Sequence, residues 1–79
     1  MFALTNHARK RLKQRFGISN FKTAVNFAYK AYKVGDIDVE RDLSKYGFGT
    51  YVARNFEGNM FIYQNKLNDV VLITVYKKT

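Results

Sequence analysis

Val70-Val71-Leu72-Ile73-Thr74-Val75-Tyr76 (VVLITVY, residues 70–76) packs five β-branched residues into seven positions. Such side chains are stiff at χ1 and suit a pleated, half-buried surface, so the stretch reads as a strand. Its apolar character is nearly continuous rather than alternating. That predicts a central strand, or one covered on both faces. Working backwards, Asn65 to Asp69 reads as a turn, Met60 to Gln64 as a strand, and Glu57-Gly58-Asn59 as a second turn. Thr50 to Arg54 reads as a further strand. Three strands in succession predict an antiparallel meander with one face buried against helices.

The helices come from the other half of the chain. Thr5 or Asn6 can cap a helix over 6–16, which Gly17 ends in the left-handed conformation. Ser19 or Asn20 can cap a second over 20–34, ended by Gly35. On the second helix Phe21, Val25, Ala28 and Tyr32 share one face, extended by Ala24, Phe27, Ala31 and Val34. So wide an apolar arc predicts contact on more than one side. The first helix carries a narrower stripe, Leu4, Ala8, Leu12 and Phe16. In the run from Asp36 to Leu43 the acidic residues alternate with Ile37, Val39, Arg41 and Leu43, as in an edge strand, but the run also suits a short helix over 39–46 burying Leu43 and Tyr46. The short helix is the preferred reading. The expected architecture is a single α+β domain over 1–79. Two N-terminal helices and a short third pack on a three- to four-stranded antiparallel sheet.

At 79 residues the domain is near the size at which burial alone holds a fold, since only about 60% of the unfolded surface is removed from water. Cysteine is absent and histidine occurs once. Disulfides, thiolate chemistry and an ordinary structural zinc site are thereby excluded. Stabilisation falls to packing of seven Phe and six Tyr, or to homodimerisation. No stretch reads as a secretory leader or membrane span, so the expected location is the cytoplasm of a bacterium or of a phage-infected host.

The net charge is +8 and lopsided. Residues 1–35 carry eight basic side chains (Arg9, Lys10, Arg11, Lys13, Arg15, Lys22, Lys30, Lys33) and no acidic one, while residues 36–79 carry six of each sign. A one-sided field of this kind concentrates polyanions, so RNA or another polyanion is the expected partner. Arg9, Lys10, Lys13, Lys22, Lys30 and Lys33 are the candidate nucleic-acid contacts. Four acidic residues, Asp36, Asp38, Glu40 and Asp42, could offer oxygens to Mg²⁺, but neither a strand nor a helix gathers all four. They read first as a solvated segment, and no cofactor or metal is implied.

His7, Arg11 and Arg15 recur at a spacing of four along one border of the first helix's apolar stripe, with Arg9 and Lys13 on the other. Residues so spaced stack on one face. An imidazole can act as a general base, and arginines can clamp a phosphate bidentately. RNA cleavage by 2′-hydroxyl attack needs both, with a tyrosine such as Tyr76 or Tyr63 as a third group. The plainer alternative is that the histidine caps or packs and the arginine stems only cover the seam.

His7-Ala8, Arg11-Leu12, Arg15 and Gly17-Ile18 resemble the opening "HAxxRxxxRxGI" of DUF4258-type proteins, and Asn65 with Leu72-Ile73-Thr74-Val75 resembles their closing "LITV" strand. Ala24, Ala28, Ala31, Gly35, Leu43 and Tyr46 fit small proteins of this kind from Gram-positive bacteria and their phages. The resemblance implies a plan like that of the RelE and BrnT toxins of the barnase-like ribonuclease group, helices first and then an antiparallel sheet whose face holds the site. It carries over to His7, Arg11, Arg15 and Thr74. The leading expectation is therefore a phage- or mobile-element-type protein that binds RNA through its first helix, with metal-independent cleavage as the associated activity. His7 would be the base, Arg11 and Arg15 the clamp, and Thr74 or Tyr76 the support. The alternatives are a non-enzymatic nucleic-acid binder and a phage-encoded inhibitor of a host defence or regulatory protein; a toxin would add an antitoxin as partner.

Overall fold

The computed structural model describes residues 1–38 and 50–77. The chain runs β1 (Phe2–Leu4), α1 (Asn6–Phe16), α2 (Phe21–Val34), β2 (Asp36–Ile37), β3 (Thr50–Phe56), β4 (Asn59–Lys66) and β5 (Asp69–Lys77). The α+β class and the two helices are as expected, but the sheet differs. It has five strands in the order β1-β5-β4-β3-β2, and it is mixed, because β1 pairs with β5 in parallel. Leu4, expected on the first helix's stripe, lies in β1 opposite Leu72. Asp36 and Ile37 pair with Asn55 and Arg54 as a short edge strand. The expected short helix over 39–46, with Glu40 and Asp42, lies outside the described residues.

Both helices begin where their caps dictate. Thr5 Oγ1 accepts from the Ala8 N–H at 3.0 Å and donates to the Ile73 carbonyl at 2.8 Å, so one hydroxyl starts α1 and ties it to β5. Asn20 Oδ1 accepts from the Thr23 N–H at 3.0 Å to start α2. Gly17 ends α1 at φ +68°, where a Cβ would be strained. Gly35 ends α2 differently, with an extended backbone at φ −69°. Its glycine serves a close approach instead: a Cβ there would sit 2.5 Å from the Ala31 carbonyl oxygen and 3.1 Å from Arg54 Cβ.

The meander forms as read. The β3–β4 turn places Glu57 and Gly58 at φ 53° and 72°, the left-handed pair favoured in tight hairpins. Between β4 and β5 the register slips once, with Ile62 opposite Thr74 and Tyr63 opposite Leu72. Ile73 is thus the extra residue of a bulge. Because of it, Leu72 and Val75, three apart, both face the helices. They join Phe61 and Tyr63 in a core completed by Ala8, Leu12, Ala24, Ala28 and Ala31. The alanines occupy the middle of α2's inward face and let its backbone close on the sheet, while aromatic rings fill the space. Tyr63 is fully buried and donates to the Ala28 carbonyl at 2.8 Å. Burial pushes its hydroxyl far above the ordinary tyrosine range, only partly opposed by Arg54, so it remains a neutral donor.

Gly35→Ala is expected to lower stability by ~1–3 kcal/mol, because backbone must shift to admit one methyl group. Urea denaturation of the two proteins checks this, as a fall in midpoint at constant slope.

Candidate nucleic-acid interface

The two helices form one layer over the sheet, and their outer surface carries the charge. His7 and Arg15 are exposed and Arg11 is half-buried. His7 follows the Thr5 cap in the first turn of α1, and four residues later Arg11 reaches back to it. Arg11 Nε donates to His7 Nε2 in a long hydrogen bond of 3.5 Å. The structure thus brings His7 and Arg11 together, with Arg15 one turn further on.

It does not bring Thr74 and Tyr76 to them. Thr74 pairs with Ile62 and Tyr76 with Met60, whereas the helix-facing pair is Phe61 and Val75. Successive residues of a strand point to opposite faces. Thr74 and Tyr76 therefore stand on the sheet face turned away from α1, with the sheet between them and His7. Ala53 and Met60, in the middle of that far face, are themselves buried. Tyr63, the other tyrosine considered, lies on the helix side, but it is sealed in the core and its hydroxyl already donates to Ala28. Among the described residues no acid is positioned beside His7 and Arg11.

The second cationic border of α1 is better built. Arg9, Lys10 and Lys13 are all exposed and line a cleft of about 360 Å³ between α1 and α2. Asn6, Ile18, Ser19 and Ala24 complete it. Ala24 is buried and Ile18 half-buried, giving the cleft an apolar floor beneath a cationic rim. The Arg9 guanidinium lies 4.8 Å from the centre of the Phe21 ring, within cation–π range. Lys22, Lys30 and Lys33 are exposed along α2, and Lys33 Nζ lies 5.8 Å from the Tyr29 ring. Among the described residues, no Lys or Arg of the two helices forms an ion pair.

The sequence offered Asn6 and Ser19 only as helix caps and Ile18 only within the family resemblance, not as site residues, and Phe21 was read as core. Phe21 is instead 53% exposed. It occupies the first position of α2, where the helix begins before the core alanines. Arg54, on β3, serves the fold. It is half-buried, its Nε donates to the Tyr32 carbonyl at 3.3 Å, and its guanidinium lies 5.3 Å from the Tyr32 ring. A cation at that place suits the negative end of α2. No group of His, Asp and Glu that could hold a metal ion occurs among the described residues, and none of their helices is long and apolar enough to cross a membrane.

No protein-family model matches the chain, and neither a curated protein nor a solved structure matches it.

The exposed setting of Phe21 predicts that Phe21→Ser shifts unfolding free energy by less than about 1 kcal/mol. Phe61→Ala, in the closed core, should cost ~3–5 kcal/mol. Chemical denaturation of both variants tests the assignment.

Proposed function

We propose that this protein binds RNA through its helical layer, as a small phage- or mobile-element-type protein on the plan of the RelE and BrnT toxins that its sequence resembles. The observation that carries the reading is the charge arrangement. Eight cations lie on two adjacent helices, with no carboxylate from the described residues to neutralise them. Lys and Arg with no carboxylate partner keep their net charge for phosphate, and releasing the counterions condensed on RNA drives binding. The order of elements, with both helices ahead of an antiparallel meander, supports the same plan.

Anisotropy titrations of labelled single-stranded RNA against salt test it. For three to five phosphates contacted, log affinity should fall against log salt with a slope between roughly −2 and −3.5. Absence of binding near 50 mM salt, or binding indifferent to salt, contradicts the proposal.

The His7–Arg11 contact favours a second reading, in which the same layer cleaves the RNA it holds. Arg11 would leave His7 Nε2 for the phosphate, which frees that nitrogen to take the 2′-hydroxyl proton, and Arg15 would steady the phosphate beside it. Thr74 and Tyr76, on the far face, take no part, so the leaving oxygen draws its proton from water. On this reading His7→Ala lowers cleavage by ~10²–10⁴-fold and leaves RNA affinity unchanged. Intact RNA after prolonged incubation with wild type rules cleavage out and leaves binding as the function.

A further inference from the structure

The cleft between α1 and α2 differs from the rest of the basic layer. Lys22, Lys30 and Lys33 lie exposed along α2, as suits any polyanion. The cleft is concave, about 360 Å³, with an apolar floor at Ile18 and Ala24 and a rim of Arg9, Lys10 and Lys13. We propose that this cleft receives one unstacked nucleotide of a single-stranded RNA, its base lying on the Arg9 guanidinium plane and its phosphate between Lys10 and Lys13. The inference rests on the RNA-binding reading above and adds the form of RNA recognised.

Three features carry it. First, a recess with an apolar floor has no use for the outside of a duplex, whose bases are stacked inward and whose phosphates need only a cationic surface. A splayed-out base has two apolar faces to bury. Second, Arg9 lines the cleft and is held 4.8 Å over the Phe21 ring. One side of its guanidinium is thereby fixed, and a planar cation so fixed makes a stacking platform. Phe21 is then a positioning residue, which explains an aromatic ring left 53% exposed at the start of α2. Third, Asn6 and Ser19 also line the cleft, and among the described residues their side chains make no hydrogen bond. An amide and a hydroxyl are free there for a base edge or a 2′-hydroxyl.

The discriminating substitution is Arg9→Lys, which keeps the charge and removes the plane. Wild type and variant are titrated with a labelled oligouridine of about a dozen nucleotides, as site sizes for single strands suggest, and with a blunt RNA duplex of the same length. Wild type should bind the single strand more tightly than the duplex. Arg9→Lys should weaken single-strand binding by at least about fivefold, leave duplex binding unchanged, and keep the salt slope of wild type. Phe21→Leu, which removes the ring that holds Arg9, should act in the same direction. Circular dichroism melting of each variant checks that the fold is retained, as the exposure of both residues leads one to expect. Salt-dependent binding of both RNAs with Arg9→Lys indistinguishable from wild type, or weakened equally on both, overturns the nucleotide site and leaves the RNA-binding reading standing. Binding of neither RNA overturns both.

Discussion

The close approach of α2 to the sheet governs the rest of the molecule. Ala24, Ala28 and Ala31 are fully or almost fully buried, so the helix backbone comes near the strands. The volume that a leucine-faced helix would supply comes instead from the sheet, through Phe61 and Tyr63. The Tyr63 hydroxyl bonds directly to the Ala28 carbonyl. This reversal, with small residues on the helix and rings on the sheet, leaves no room for adjustment at the helix end. Gly35 has none, with Arg54 and the Ala31 carbonyl already against it. Several ring contacts between 4.7 and 6.4 Å then run across this interface, from Phe16 and Phe27 through Phe61 to Tyr63 and Tyr32.

That packing has an electrostatic consequence. A helix buried along an alanine strip presents the remainder of its surface outward, and on both helices the remainder is basic. The described acidic residues sit elsewhere: Asp36 and Asp38 follow α2 at the β2 edge, Glu57 is in a hairpin turn, and Asp69 lies beside the N-terminal amine at 3.4 Å. Among the described residues the excess of positive charge therefore lies on the helical layer. The helical layer carries a field suited to phosphate, while the sheet supplies rigidity. The cleft between α1 and α2 gives that diffuse attraction a shape.

Much of this was legible in the sequence because the local signals were strong and agreed. Thr5, Gly17 and Asn20 fix the helix boundaries through capping chemistry, and VVLITVY forms a strand paired on both sides. Three things were not legible. A three-residue strand, Phe2–Leu4, has too few positions to show a period, and Leu4 also fits the four-residue spacing of α1. Phe21 fits the apolar face of α2 by angle, but angle does not say how far along the helix the core extends. The face on which Thr74 and Tyr76 emerge depends on the bulge at Ile73. In a continuously apolar strand nothing marks a bulge, so the supposed support for His7 falls on the wrong side of the sheet. The His7–Arg11 pairing was legible, since helical spacing alone puts those two residues in reach.

The account turns on the helical layer, and not the far face of the sheet, being where RNA is met. Amide chemical-shift mapping of the full chain during titration with a single-stranded oligouridine tests this most directly. The account predicts shifts concentrated between Asn6 and Lys22, strongest around Arg9, Lys13 and Ser19, with Tyr51, Ile62, Thr74 and Tyr76 unmoved. Shifts centred on those far-face strand residues, with α1 silent, would contradict it.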